Sequence, residues 1–160
     1  MRIVGKTFAT ESVLIRCDCT EHIIELGYQN CHHSEKTLYY IDYIGWYNHK
    51  NKHPDFYFKD KKDFVEFLDW LIYCCKSESY IDSKYFIRCD ETSKGTKLRG
   101  TIDVYVDDLG YMCFERWKNL PERRKKKEYS MWQILIERDW FVELEAQIRR
   151  LRNKVIEEGL

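Results

Sequence analysis

This sequence has few prolines, no net charge and no long apolar run. Two prolines occur in 160 residues, which excludes long proline-rich linkers. No apolar run approaches the roughly 20 residues of a membrane-spanning helix, so we expect no membrane partner. Lysine plus arginine and aspartate plus glutamate both number 27, for a net charge of +0. This balance argues against a protein held on nucleic acid by its overall charge, and equally against an acidic mimic of DNA.

Cysteine, by contrast, is plentiful, with seven in the chain. The first residues lack the apolar core of a secretory signal. An odd number of cysteines without an export signal predicts free thiols in a reducing cytoplasm. We therefore expect a cytoplasmic protein whose cysteines are core residues, metal ligands or nucleophiles.

Alternation of apolar and polar residues predicts strands through most of the chain. The predicted strands are 13–19, 23–28 and 37–47 in the first half, and 85–90, 101–107 and 111–117 in the second. A helix with Asp60 as its N-cap follows the first set, because apolar residues recur there at spacings of three and four. The predicted class is α+β, with antiparallel strands and two principal helices, the C-terminal one long.

One short motif occurs twice. The tetrapeptide Ile15-Arg16-Cys17-Asp18 matches Ile87-Arg88-Cys89-Asp90, and each copy begins a run of strands, loop and helix. This order predicts a duplication within a single domain over 1–160, with ββ(β)α pseudo-repeats at 9–79 and 81–158. A chance identity of four residues is the alternative.

The C-terminal segment has the pattern of one long helix. Ser130 and Gln133 have the spacing of a capping box, which predicts a helix over 131–158 of roughly 42 Å. Its apolar stripe is Trp132, Ile136, Trp140, Leu144, Ile148, Leu151 and Val155. The end of such a helix would extend past a compact body, and its a/d spacing predicts a homodimer. Burial of the whole stripe within one chain is the alternative.

A metal site is predicted at the first hairpin. Cys17 and Cys19 point to one side of a strand, and His22 lies in the turn that follows. Thiolate and imidazole are preferred zinc ligands, and a closed structural site has four. The loop after the third strand returns to this end of the hairpin, so His49 is the first choice for the fourth ligand and His53 the second. Plain core cysteines are the alternative.

A basic run is the predicted partner-binding segment. Residues 118–127 hold six positive charges and one negative charge. Such a loop can contact phosphates or dock on an acidic protein surface, or it can be only solvated. The residues in question are Arg123, Arg124, Lys125, Lys126 and Lys127.

No catalytic motif is recognisable. The chain has no nucleophile elbow, glycine-rich phosphate loop or zinc-protease helix. A strand pair with Asp103, Asp107, Asp108, Glu115 and Lys118 loosely resembles that of a metal-dependent nuclease, but Asp103 and Asp107 also fit the solvent side of an ordinary amphipathic strand. We therefore expect no enzyme, and the nuclease is an alternative.

The first part of the chain resembles small proteins encoded by phages and prophages of Gram-positive bacteria. The matching residues are Ile15-Arg16-Cys17-Asp18-Cys19, Ile23-Ile24-Glu25 and Tyr39-Tyr40-Ile41. Such proteins include zinc-containing anti-CRISPR proteins, and the resemblance implies stoichiometric inhibition by binding. The expected partner is a host defence protein, a type II CRISPR effector nuclease whose loading of target DNA would be blocked in the host cytoplasm. A zinc-supported nucleic-acid-binding module, based on the basic loop and exposed aromatic residues, is the second alternative.

Overall fold

The structure is a computed structural model that describes residues 9–17, 22–31, 36–44, 56–89, 100–119 and 128–158. The first half contains β1 (Glu11–Arg16), β2 (Ile23–Cys31), β3 (Lys36–Ile44), β4 (Phe56–Tyr57) and helix α1 (Lys61–Lys76). The second half contains β5 (Tyr85–Cys89), β6 (Gly100–Val106), β7 (Met112–Asn119), β8 (Glu128–Ile136) and helix α2 (Phe141–Glu157). Within these residues the strands form two four-stranded antiparallel sheets, sheet 1 from β1 to β4 and sheet 2 from β5 to β8. The α+β class predicted from the sequence is confirmed.

The strands follow the apolar alternation of the sequence. Val13 and Ile15 of β1 are buried, and they pair with Leu26 and Ile24 of β2, which are also buried. Successive side chains of a strand point to opposite faces, so these residues form the core face of sheet 1. The strands that the alternation did not reveal are β4, with only two residues, and β8.

Helix α1 begins as its sequence predicts, and Ser77 caps its end. The Asp60 carboxylate accepts a hydrogen bond of 2.9 Å from the backbone N–H of Asp63, which satisfies one donor of the first turn. At the other end, the Ser77 N–H donates to the Cys74 carbonyl. The fully buried residues on its core face are Phe64, Phe67, Leu68, Leu71 and Cys74.

The two halves share the order ββββα and their cross-strand register. The equivalent pairs are Ile15–Ile24 with Ile87–Ile102, and Glu25–Asp42 with Asp103–Glu115. Each half therefore has two carboxylates facing each other across its second and third strands. This correspondence extends the similarity of the halves well beyond the repeated tetrapeptide.

The expected long helix over 131–158 is wrong in its first part. Ser130 and Gln133 belong to β8, where Gln133 pairs with Glu115, so they form no capping box. Trp132, Ile134 and Ile136 alternate toward the core, and their period of two allows pairing with β7. A 3-10 turn at Arg138–Trp140 then leads into α2, whose 17 residues span about 25 Å.

The apolar stripe of α2 is buried within the chain. Leu144, Ile148, Leu151 and Val155 are all at most 7% exposed. The expected projecting seam is therefore wrong, because the shorter helix keeps these side chains in the chain's own core. A homodimer stays a prediction, but this stripe does not supply its contact.

The two halves pack together around one hydrophobic cluster that includes residues from both sheets and both helices. The indole N–H of Trp70 in α1 donates to the carbonyl of Val104 in β6 at 3.2 Å. On the surface, Arg152 of α2 forms an ion pair with Asp69 of α1. Among the described residues, no helix has the length and apolar character needed to span a membrane.

Candidate functional site

An open cleft lies between the end of β1 and the start of α2. Its volume is about 220 Å³. The residues that line it are Leu14, Ile15, Arg16, Ile136, Trp140, Glu143, Leu144 and Gln147. Apolar side chains dominate the lining, and Arg16, Glu143 and Gln147 supply polar groups. The cleft thus forms where the first strand of one half meets the helix of the other.

The turn between β8 and α2 places Trp140 beside this cleft. The Trp140 N–H donates to the Glu137 carbonyl at 3.0 Å, which closes the 3-10 turn. Arg138 anchors the turn, because its guanidinium donates to the Ser77 carbonyl and lies 4.9 Å from the centre of the Phe141 ring. Trp140 is 46% exposed. The sequence interpretation placed Trp140 inside a helix and against the sheet, and that placement is wrong.

Cys17 and His22 come together at the adjacent end of the first hairpin. The Cys17 N–H donates to the His22 carbonyl at 3.2 Å, and Cys17 is 3% exposed. The Nδ1 atom of His22 is hydrogen-bonded to the Tyr43 hydroxyl, and the two ring centroids are 5.3 Å apart. A hydrogen bond at one ring nitrogen is how proteins orient a histidine whose other nitrogen binds metal. The backbones of Cys17 and His22 are therefore adjacent where the sequence predicts zinc, and the Cys17 side chain is part of the hydrophobic core.

The remaining predicted ligands, Cys19, His49 and His53, lie outside the described residues. Within the part of the chain that the structure describes, no group of three or more metal-binding side chains occurs. Zinc thus stays a prediction, and the structure brings together Cys17 and His22 of its expected ligands. The basic residues Arg123, Arg124, Lys125, Lys126 and Lys127 also lie outside the described residues.

Three other cysteines are buried thiols. Cys74 and Cys75 lie in α1 and Cys113 lies in β7. Burial raises the pKa of Cys74, of Cys75 and of Cys113 to about 12 in each case. A thiol with so high a pKa stays protonated at neutral pH and is a poor nucleophile. Cys74 and Cys75 belong to the hydrophobic core.

The acidic strand pair has a structural role at Asp107. Its Oδ1 accepts hydrogen bonds from the N–H groups of Leu109 and Tyr111, at 3.0 and 2.8 Å, and its Oδ2 accepts from Cys113 at 3.5 Å. These bonds hold the hairpin turn in which Gly110 has a φ of 88°. The expectation that Asp103 faces solvent is wrong, because Asp103 is 6% exposed.

No protein-family model matches this chain, and no curated protein matches it. A function therefore has to follow from its own side chains. The cleft beside Trp140 is the feature that the sequence interpretation missed. The walls of the cleft come from opposite ends of the chain. The sequence signal that could have revealed the cleft is the alternation of Trp132, Ile134 and Ile136, which distinguishes a strand from the helix after it.

Proposed function

We propose that this protein acts by binding another protein, with the cleft between β1 and α2 as its docking site. The observation that carries the proposal is the exposed Trp140 beside an open apolar cleft. Tryptophan is enriched among the residues that dominate binding energy at protein interfaces. Because the 3-10 turn is anchored by Arg138, the indole would lose little freedom on binding.

The size of the cleft favours a protein partner over a free small molecule. Pockets for drug-sized ligands measure roughly 300–1,000 Å³. The cleft of about 220 Å³ is smaller, and it suits one or two apolar side chains presented by a partner. Arg16, which is positively charged, and Glu143, which is negatively charged, would form part of the polar rim of such an interface.

The narrower form of the proposal concerns the partner. The resemblance of residues 15–41 to small phage proteins supports a host defence protein, specifically a CRISPR effector nuclease. The bound protein would cover a surface that the nuclease needs for loading target DNA, and it would act stoichiometrically. Arg16 of the cleft precedes Cys17 in the chain, so zinc bound at the hairpin would also fix the position of this side of the interface.

A pull-down from host cells with mass spectrometry would identify the partner, and Trp140→Ala would test the cleft. We expect the variant to bind the captured partner at least about tenfold more weakly, because a central tryptophan contributes about 2 kcal/mol or more. Tyr73→Ala is the matched control, since Tyr73 is 57% exposed on α1 and does not line the cleft. Equal binding by the two variants would reject the cleft as the docking site.

A DNA-loading measurement would test the narrower form. The captured nuclease is mixed with labelled target DNA, with and without the protein. We expect less DNA bound in proportion to the protein added, up to one protein per nuclease. Normal DNA loading on a nuclease saturated with the protein would reject this mechanism.

A further inference from the structure

The free edge of β1 runs along the cleft. β1 is the first strand of sheet 1, and among the described residues it pairs with β2 alone. Leu14, Ile15 and Arg16 all line the cleft, although the side chain of Ile15 points to the face opposite to that of its two neighbours. A cavity lined by residues of both faces lies along the edge of the strand. No residue of β2, which the structure describes throughout, lines the cleft, so this is the edge that β2 leaves free.

The register of the first hairpin decides which backbone groups face that edge. The Cys17 N–H donates to the His22 carbonyl, and hydrogen-bonded pairs alternate along an antiparallel ladder. Ile15, two residues earlier, therefore also bonds to β2. Leu14 and Arg16 have the other parity, so their N–H and C=O groups point away from β2 and toward the cleft. Among the residues that the structure describes, no backbone hydrogen bond joins this edge to another element.

These backbone groups define what the cleft can hold. A free strand edge is a template for a further strand, whose backbone supplies the missing donors and acceptors from about 4.8 Å away. The side chains of an added strand alternate between the two faces of the sheet. Those on the face of Ile15 would enter the cleft beside Leu144 and Trp140, and those on the face of Arg16 would stay in water.

We propose that the cleft binds an extended segment of the partner protein, which adds to sheet 1 as a strand beside β1. The segment places an apolar side chain in the cleft and an acidic side chain opposite Arg16 on the other face. Arg16 is exposed and has no ion pair with the described residues, so its guanidinium can pair with a carboxylate across the strands. The proposal rests on the proposed function, in that the partner is a protein bound at this cleft, and it adds the conformation and charge pattern of the bound segment.

A second copy of this chain is the alternative occupant. The apolar side chains of β1 that would have to enter the cleft are Val13 and Ile15. They are 6% and 2% exposed in the chain's own core, so a copy has none to offer. The side chains that a copy would place on the face of Arg16 are Ser12, Leu14 and Arg16 itself, none of them acidic. A segment of another protein has neither limit.

The first test uses the full chain and a fluorescein-labelled peptide of ten residues in which leucine alternates with glutamate. N-methylation of one alternate set of residues should abolish binding, and N-methylation of the other set should preserve it, because only one edge of the added strand bonds to β1. The two methylated peptides have the same side chains and the same number of methyl groups. Equal binding of these two peptides, or no binding of the unmethylated one, would overturn the proposal.

A proline in β1 tests the same edge from the side of the protein. Leu14→Pro removes an N–H that faces the cleft and none that bonds to β2, so the hairpin keeps its ladder. We expect peptide binding to weaken about three- to tenfold. Phe86→Pro is the matched control, because Phe86 precedes Ile87 as Leu14 precedes Ile15, on an edge strand away from the cleft. Equal binding by the two folded variants would reject the strand.

Charge reversal at Arg16 keeps the proposal testable if the proline variant does not fold. Arg16→Glu should bind the glutamate peptide about three- to tenfold more weakly, and it should bind a lysine–leucine peptide more tightly than the unaltered chain does. Arg150→Glu, the same reversal at an exposed position of α2 outside the cleft, should change neither affinity. Unchanged affinities in Arg16→Glu would reject the acidic side chain opposite Arg16.

Failure of this proposal and failure of the proposed function give different results. A captured partner that needs Trp140 but tolerates Leu14→Pro and Arg16→Glu would keep the cleft as the docking site and overturn the added strand. A captured partner that tolerates Trp140→Ala would reject the proposed function, while the methylated peptides would still report whether the edge of β1 accepts a strand.

Discussion

Tyr43 of β3 stacks on Trp132 of β8, with ring centroids 4.8 Å apart and planes inclined by 10°. Tyr43 is also hydrogen-bonded to His22, so this stack connects the predicted metal hairpin of the first half to the sheet of the second. Stacked and offset aromatic pairs contribute beyond the area they bury. The contact therefore joins the two halves beside His22 and Cys17.

Loss of this stack should destabilise the whole chain. Trp132 is 9% exposed, so Trp132→Ala should lower the free energy of unfolding by about 3–5 kcal/mol through a cavity between the sheets. Urea denaturation followed by circular dichroism would measure the change. Tyr80→Ala, at a side chain 53% exposed, is the control and should change it by less than about 0.5 kcal/mol. Similar effects of the two substitutions would contradict the role of the stack.

Purified protein should contain about one zinc ion per chain, because the sequence predicts three soft or borderline donors, Cys17, Cys19 and His22, at one end of the first hairpin. Cys17→Ser should remove the metal and lower the free energy of unfolding by several kcal/mol, since metal binding contributes to folding. Elemental analysis of protein never exposed to a chelator would measure the content. Cys74→Ala is the control, since Cys74 is buried in α1, and it should keep the metal. Protein without any transition metal would reject the site.

Neutral residues in place of Arg123, Arg124, Lys125, Lys126 and Lys127 should weaken partner binding and leave the melting temperature nearly unchanged. Exposed charges contribute little to folding, but they steer association and fix its register. The binding rate constant and the melting temperature would be measured on the same variant. Binding at full strength would show that these residues form only a solvated loop. A large drop in melting temperature would show instead that they belong to the packed fold.

Leu151→Glu should unfold the chain rather than dissociate a dimer. Leu151 is 3% exposed in the chain's own core, and burying a carboxylate there costs several kcal/mol. Circular dichroism would report the loss of structure. Light scattering of the unaltered chain tests the homodimer separately, because a mass near 19.6 kDa rejects it. A folded Leu151→Glu variant with half the mass of the unaltered protein would show that α2 does form the contact of a dimer.

Stability should fall as the pH rises above about 9. Burial raises the pKa of Cys74 from 9.0 to about 12, so the folded chain keeps a proton that the unfolded chain loses. The stabilisation is fully present below pH 9 and is lost as the pH rises toward 12. Between these limits this thiol should contribute about 1.4 kcal/mol per pH unit to the slope. Urea denaturation of Cys74→Ala at several pH values should show a shallower slope, and an unchanged slope would contradict the shift.

The strands and the first helix were readable because their patterns are local. Val13 and Ile15 alternate with polar neighbours, and Phe64, Phe67, Leu68 and Leu71 follow the helical period, so each segment specifies its own buried face. The approach of Cys17 to His22 was readable for the same reason, since a hairpin brings together residues close in the chain. These periodicities sufficed for the α+β class, for the similarity of the two halves and for the adjacency of Cys17 and His22.

Only the tertiary structure decided the nature of residues 128–140. Trp132, Ile136 and Trp140 fit a helical spacing, while Trp132, Ile134 and Ile136 fit a strand, and pairing with β7 selects the strand. The cleft depends on that choice, because it needs the turn that exposes Trp140. Local spacing cannot encode the cleft, since it assembles side chains that are distant in sequence and adjacent only after the sheets and helices have packed.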